Sequence, residues 1–322
     1  MKIKTATWNT VWLLLFFALA FAFAGAILAQ APATGATSAT AKSVKPATFK
    51  SPEEAVEALV VATEQYDTSS IERIVGTAGR EIVLTGELPQ DKDNAVAFAA
   101  QARIKKTVSI DPKNKSRAYL LIGSEDWPFA LPIVKSGTSW SFDPVAGKQE
   151  LLHRRIGGNE LDAIEICRGF VEAQHEYALE KHDGSPVNQY AQRIISTPGK
   201  HDGLAWQNPD GTWSGPVGES AARALEKGYE QGDPYHGYYF KVLKGQGKSA
   251  PLGEMDFVVK GMMIGGFALI AFPAEYSVTG VKTFMVSHDG VVYEKDLGPK
   301  TLEEVKKIER FNPDLSWNPV DP

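Results

Sequence analysis

One amphipathic segment, residues 154–182, constrains the fold of this chain more than any other part of the sequence. Asn159 follows the flexible pair Gly157-Gly158 and is a suitable N-cap. Glu160 and Asp162 then stand where the dipole of a first helical turn favours acidic side chains. Apolar residues recur every three to four positions over about five turns; they are Ala163, Ile164, Ile166, Cys167, Phe170, Val171, Ala173, Tyr177 and Ala178. The pattern predicts a long helix that needs an apolar surface to pack against.

The residues before this helix predict a small α+β domain over 49–150. Ser51 is a good N-cap and Pro52 a good first residue for a helix that runs to Tyr66. Residues 68–75 predict a second, short helix, which Gly76 ends. Two hairpins are predicted next, each with turn-forming residues between its strands. Their strands are 103–110 with 116–123, and 129–135 with 138–143.

The residues after the long helix predict strands that pack against it, so we expect a second α+β domain over 154–318. Residues 151–158 would join the two domains. Residues 183–235 are dense in Gly, Pro, Asp and Trp and predict a long irregular tract. The predicted elements are, in order, a short helix over 219–228, strands over 237–243, 256–259 and 264–272, a hairpin that turns at Asp289-Gly290, and a polar helix over 301–310.

The first 29 residues have the three-part form of a secretory signal peptide. Lys2 and Lys4 precede an uncharged apolar run over 11–29, and small residues close it. We expect cleavage after Ala29 or Ala31, a periplasmic or secreted mature protein, and a disordered linker over 30–48. The alternative is an uncleaved membrane anchor, because the run approaches the roughly 20 residues that span a bilayer. After cleavage we expect no stable membrane span.

Charge and cysteine content narrow the classes of partner and chemistry. The formal net charge of −5 becomes more negative when Lys2 and Lys4 are removed, so we expect no nucleic acid partner. Cys167 is the only cysteine, and its place on the apolar stripe predicts a buried small hydrophobe. The six histidines form no HxH or HExxH pattern and there is no CxxC, so we expect no metal site and no cofactor.

The irregular tract and the strand after it carry the residues most suited to a binding site. They are Trp206, Trp213, Tyr235, His236, Tyr238, His201 and Asp202. Exposed, these aromatic side chains could stack on a sugar or a peptide; buried, they would form a small core that orders the tract. A second possibility is a hydrolytic site built from His, Asp and Ser groups of residues 182–236, with Ser196 and Ser214 as nucleophiles.

Eight motifs in order make the chain similar to a known bacterial family, domain of unknown function 2950. They are SPEEAVEALV, EDWPFALPIVK, GKQELLHRRIGGNELDAIEICRGFVEAQHEYA, STPGKHDGLAW, PYHGYYFKVLKGQG, MIGGFALIAFPAEY, TGVKTFMVSHDGVVYEKDLG and PDLSW. The resemblance covers nearly everything from 49 to 318. It implies an exported bacterial protein without an established activity, and it supplies no catalytic residues.

Two weaker resemblances concern only the shape of each domain. The helix-then-sheet order of 49–150, ending in LPIVKSGTSWSFDP, resembles an NTF2-like or cystatin-like domain. The helix over 160–178 and the ending AFPAEYSVTGVKTFMVSHDGVVY resemble a pilin-like (pseudopilin) domain. Unlike a pilin, this chain has a whole domain between its apolar N-terminus and that part. Folds of both kinds serve many functions.

These observations lead to one main expectation and one alternative for function. The main expectation is an exported, non-enzymatic binding or assembly module of the cell envelope, whose partner is an unknown envelope protein or glycan. The alternative is an envelope hydrolase, and it requires His201, His236 and Asp202 to meet a Ser or Tyr hydroxyl in one place.

Overall fold

Helices and open, mainly antiparallel sheets make up the regular structure of this protein, so the predicted α+β class is confirmed. The structure, a computed structural model, describes residues 43–84, 88–217 and 234–321. The predicted signal peptide and most of the predicted linker lie outside these described residues. The chain divides into two compact units, Met1–Glu150 and Leu151–Pro322. That each unit folds by itself as a domain stays a prediction.

Three helices open the first unit: α1 (Pro52–Glu64), α2 (Thr68–Val83) and α3 (Leu88–Ile104). The Ser51 side chain caps α1 by accepting a hydrogen bond from the N–H of Glu54, as the sequence predicts. Gly76, with a φ of 76° and a ψ of 166°, leaves the helical conformation and divides α2 into two segments at a kink, so the predicted break at Gly76 is confirmed and a further helical segment follows it.

Helix α3 has no counterpart in the sequence predictions. Its buried face consists of Asp91 and three alanines, Ala95, Ala99 and Ala102. A face this small in side-chain volume does not give the strong apolar periodicity from which helices are recognised. Among its described residues the first unit therefore has three helices before its sheet, where the sequence predicts one long and one short helix.

A five-stranded antiparallel sheet completes the first unit. Its strands are β1 (Lys106–Ile110), β2 (Arg117–Ile122), β3 (Trp127–Pro128), β4 (Ile133–Ser136) and β5 (Ser139–Phe142). They lie in the order β1-β2-β4-β5, with β3 beside β2, and both predicted hairpins are confirmed. The core between helices and sheet is fully buried at Leu59, Ile71, Leu120, Leu131, Ile133 and Phe142.

Helix α4 (Pro144–Tyr177) is the long helix, and it begins earlier than predicted. The Asp143 carboxylate accepts hydrogen bonds from the N–H groups of Val145 and Ala146, which makes Asp143 the N-cap, and Pro144 is the first helical residue. The expected start at Asn159 is therefore wrong, and residues 151–158, which the sequence predicts to join the two domains, are helical. Good helix formers on both sides of Gly157-Gly158 outweigh the roughly 1 kcal/mol that each glycine costs.

The tract after α4 is not irregular, contrary to the prediction. Its strands are β6 (Arg193–Ile195), β7 (Gly203–Gln207) and β8 (Trp213–Ser214). Strand β6 runs parallel to β7, and β8 forms a hairpin with β7 that turns at Asp210-Gly211. Strands this short leave no alternation long enough to detect in the sequence. The predicted helix over 219–228 lies outside the described residues.

The main sheet of the second unit has five strands in the order β17-β16-β15-β14-β9. Its strands are β9 (Tyr238–Leu243), β14 (Ala268–Pro273), β15 (Lys282–Ser287), β16 (Val292–Asp296) and β17 (Asn318–Pro319). Two short hairpins lie between β9 and β14; they consist of β10 (Gly245–Gln246) with β11 (Met255–Asp256), and β12 (Val258–Val259) with β13 (Met262–Met263). Helix α5 (Thr301–Lys307) follows β16.

The hairpin between β15 and β16 confirms the turn predicted at Asp289-Gly290. Gly290 takes the positive φ, 77°, and its N–H donates to the carbonyl of Ser287. The Asp289 carboxylate accepts hydrogen bonds from the N–H of Val291 and from the Ser287 hydroxyl, so the side chain of Asp289 stabilises the turn.

The core of the second unit forms between the apolar stripe of α4 and the main sheet. Phe170 is 5 % exposed, and its ring meets Phe267 edge to face at 5.7 Å between centroids. Tyr238, Leu269 and Phe284 are fully buried in the same cluster. None of the described helices combines the length and the apolar composition that a membrane crossing requires.

Candidate functional site

The structure distributes the seven candidate residues over several parts of the second unit, and four of them belong to two separate groups of side chains. One group, here named the histidine–tryptophan cluster, consists of Tyr177, His182, Asp183, His201 and Trp206. The other lies around His236, whose Nδ1 is 2.5 Å from the Asp162 carboxylate.

The end of α4 supports the histidine–tryptophan cluster. Tyr177 is the last residue of the helix and is only 2 % exposed. The His182 ring stacks on the Tyr177 ring at 3.9 Å and 19°, and its Nε2 lies 2.9 Å from the Tyr177 carbonyl oxygen. The chain therefore turns back on the helix directly after α4 ends.

Trp206 is the half-buried residue of β7 on which the two histidines converge. The His201 ring lies 4.6 Å from the Trp206 ring, and the His182 ring lies 5.7 Å from it. The Asp183 carboxylate is 3.8 Å from Nδ1 of His201. The cluster thus places aromatic surface, two imidazoles and a carboxylate next to one another.

The backbone of His201 is held on both sides. Its N–H donates to the Asp183 carboxylate at 2.9 Å, and its carbonyl accepts from the Tyr177 hydroxyl at 2.5 Å. Burial, and then the carboxylates of Asp183 and Asp202, raise the pKa of Tyr177 to about 12. The hydroxyl therefore stays protonated at neutral pH and acts as a donor.

Asp202, the next residue, has a local role beside the cluster. Its carboxylate accepts from the N–H of Thr197 at 2.7 Å and from the Thr197 hydroxyl at 2.8 Å. The Arg193 Nε lies 3.7 Å away. Asp202 therefore closes the 197–202 turn that presents His201.

The second group contains His236, Tyr235 and Asp162. The Tyr235 and His236 rings meet at 4.3 Å, and burial followed by the Asp162 carboxylate raises the pKa of Tyr235. Asp162 and Tyr177 are 15 residues apart on α4, which corresponds to about 22 Å along the helix. His236 and His201 therefore do not converge on one site.

The two remaining candidates, Tyr238 and Trp213, take part in the packing of the second unit. Tyr238 is fully buried, its hydroxyl donates to the Lys282 carbonyl at 2.8 Å, and burial raises its pKa. Trp213 is half-buried on β8, where it pairs with Gln207 across the hairpin. These positions agree with the sequence-based alternative in which large aromatic residues order the tract.

The two serines considered as nucleophiles are engaged in local hydrogen bonds. The buried Ser196 hydroxyl accepts from the N–H of Gly203 at 2.9 Å. The Ser214 hydroxyl accepts from the Asn208 side chain at 2.8 Å. In the described part of the chain, no three His, Cys, Asp or Glu side chains group so that they could hold a metal ion.

Sequence reasoning missed two polar residues that connect α4 to the rest of the second unit. Glu160, which was assigned to a first turn, lies inside the helix, and its carboxylate accepts from the N–H groups of Val281 and Lys282. Gln174 is fully buried and bonds to the backbone of Ala191. The one sequence feature that could have indicated a buried Gln174 is its position directly after Ala173, beside the apolar stripe of the helix.

Fold and site together define an α+β protein with a hydrogen-bonded, partly exposed histidine–tryptophan cluster at the end of a long helix. The chain belongs to the family described as protein of unknown function (DUF2950), whose model matches residues 46–320. The resemblance drawn from the eight motifs is thereby confirmed. Neither the comparison with curated proteins nor the comparison with solved structures gave a match. The NTF2-like and pilin-like resemblances stay predictions.

Proposed function

We propose that this protein is exported to the cell envelope and acts there as a non-enzymatic binding or assembly module, with the histidine–tryptophan cluster as its recognition face. The observation that carries the proposal is the way in which His201 is held. Its backbone is bonded to Asp183 and Tyr177, yet its side chain is 48 % exposed. A side chain presented from a fixed backbone loses little entropy when a partner binds it.

The chemistry of the face suits a glycan or a peptide of the envelope. The rings of Trp206 and His201 offer surface for the apolar face of a sugar or for an aliphatic side chain. The neighbouring Asp183 carboxylate accepts hydrogen bonds, as hydroxyl groups or backbone amides require.

Site-specific crosslinking in the periplasm tests the recognition face. A photoreactive residue in place of Lys200, which is exposed beside His201, should form an adduct with an envelope component. The same residue in place of the exposed Lys113, in the first unit, should not form that adduct. Adducts that persist unchanged with His201→Ala and Trp206→Ala would contradict the proposal.

Co-sedimentation with purified peptidoglycan separates a glycan partner from a protein partner. If the partner is this glycan, His201→Ala should reduce the bound fraction at an unchanged melting temperature, and Trp206→Ala should reduce it while the protein remains folded at the assay temperature. Trp127→Ala is the matched control, because Trp127 is 45 % exposed but lies in the first unit. Release of soluble fragments from the glycan, abolished by His201→Ala, would favour the hydrolase instead.

Export has a separate test, because it rests on residues 1–29 and not on the site. N-terminal sequencing of the protein recovered from the periplasm or medium should give a start near Gln30 or Pro32. An intact Met1 in the membrane fraction would support the uncleaved anchor.

A further inference from the structure

The outer edge of strand β1 presents backbone groups that no other described residue pairs with. Gly123 donates to the Lys105 carbonyl and Asp111 donates to the Arg117 carbonyl, while Thr107 and Ser109 stand opposite residues of β2. The odd-numbered residues therefore bond to β2, and the N–H and C=O groups of the even-numbered residues point away from it. Among the described residues, no strand or loop pairs with those outward groups.

The opposite edge of the same sheet is covered. Phe49 and Trp140 exchange two backbone hydrogen bonds of 2.8 Å, so residue 49 protects β5. Natural proteins usually protect an edge with charges, prolines or bulges, because an open edge pairs with other chains. Strand β1 contains no proline, and its pairing with β2 is continuous from Lys106 to Ile110 without a bulge.

The charges beside this edge are neutralised within the protein. Lys106 pairs with Glu57 at 2.9 Å, and Lys105 pairs with Asp126 at 2.6 Å. Apolar side chains are exposed next to them, since Ile110 is 37 % exposed and Ile104, just before the strand, is 68 % exposed. The edge therefore lacks the free charge that would repel a second strand.

We infer that β1 pairs antiparallel with β1 of a second copy of this chain, around a two-fold axis at Val108. In this register Val108 stands opposite its own copy and Lys106 stands opposite Ile110. The outward groups of these residues then form three hydrogen-bonded pairs, with about six hydrogen bonds in total. Symmetric edge pairing of this kind is a known mode of recognition between sheets.

The sequence of β1, KTVSI, is self-complementary in this register. Thr107 meets Ser109 of the other copy, and such hydroxyl pairs are favourable across antiparallel strands. Val108 meets Val108, and no two like charges oppose one another. A two-fold contact also closes on itself, so it gives a dimer and not a fibre. One short strand buries little area, so the dimer should be weak.

Sedimentation of the full mature chain, residues 30–322, tests this inference. Between about 1 µM and about 1 mM, wild type should pass from monomer to dimer. Val108→Asp and Val108→Lys should each weaken the dimer about tenfold or more, because two like charges then face each other on the axis. Thr107→Asp is the matched control; it lies off the axis and should weaken the dimer less.

A mixture of the two charged variants identifies the axis. Val108→Asp and Val108→Lys mixed in equal amounts should form a heterodimer, because opposite charges then meet at Val108. Unchanged melting temperatures show that the variants remain folded. A wild type that stays monomeric, single variants that dimerise like wild type, or a mixture that fails to pair would each overturn the inference.

Discussion

The side-chain amide of Gln174 holds the backbone of Ala191 in both directions. Its Oε1 accepts from the N–H of Ala191 at 2.8 Å, and its Nε2 donates to the carbonyl of Ala191 at 2.8 Å. Both residues are fully buried. A buried peptide group without partners would be costly, so this pair fixes the chain before β6 against helix α4.

Gln174→Leu should destabilise the protein by about 2–5 kcal/mol, because it leaves the N–H and C=O of Ala191 buried without partners. The measurement is the free energy of unfolding in urea. Gln192→Leu is the matched control, since the half-buried Gln192 side chain makes its two hydrogen bonds at the surface, donating to the carbonyl of Gly261 and accepting from the Lys244 ammonium, where water can replace it. Its cost should be about 1 kcal/mol. Equal costs for both variants would contradict the role given to Gln174.

Phe170→Ala should lower the free energy of unfolding by about 3–5 kcal/mol, because it empties a closely packed site against Phe267. Leu161→Ala on the same helix is the control. Leu161 is 67 % exposed, so its replacement should change stability by no more than about 0.5 kcal/mol. Comparable losses would mean that the apolar stripe does not carry the packing of α4.

Apolar periodicity predicted the packed face of α4 correctly, since Ala163, Cys167, Phe170, Ala173 and Tyr177 are buried. It could not predict Gln174, because a glutamine at that spacing is usually exposed. Its partner is the backbone of Ala191, which is 17 residues away and brought near only by the turn after the helix. Pairings of this kind depend on tertiary structure, which no local pattern contains.

Cys167 should react slowly with thiol reagents in the folded protein. It is fully buried, and burial raises its pKa to about 12, so the reactive thiolate is rare at neutral pH. Labelling should become fast in denaturant, which is the control. Cys167→Ala should cost about 1 kcal/mol from a modest cavity and should leave binding unchanged. Fast labelling of the native protein would contradict this placement.

Tyr177 should make stability depend on pH in the alkaline range. Its pKa is about 12 in the folded protein and 10.0 in the unfolded reference, so folding favours the protonated phenol. The stability that this provides is fully present below pH 10 and is lost as the pH rises towards 12. The loss should be about 2–3 kcal/mol.

Tyr177→Phe isolates this effect, because phenylalanine does not titrate. Between pH 10 and 12 wild type should lose stability relative to the variant, whereas below pH 9 the difference should be constant. Urea unfolding at each pH measures both. A difference that does not change across the alkaline range would contradict the raised pKa.

The candidate site could be predicted from the sequence only as a list of residue types. The density of aromatic and histidine residues over 183–235 predicts a site in that tract, and His201 and Trp206 are in contact there. That His236 pairs instead with Asp162 could not be foreseen, because residues 74 positions apart meet only through the fold. The start of α4 could have been predicted from Asp143-Pro144, which is a good N-cap followed by a good first helical residue. The pair Gly157-Gly158 instead favoured a start at Asn159.

The last prediction concerns the division of the chain into two domains. Residues 30–150 expressed alone should unfold cooperatively, because their three helices and five-stranded sheet bury a core of their own. A chain ending near residue 280 should be insoluble, because it lacks β15 and β16 and so exposes the apolar stripe of α4. Circular dichroism during urea titration and the soluble fraction after expression measure the two outcomes. An unfolded 30–150 fragment, together with a soluble and cooperative truncated chain, would show that the two units are not separate domains.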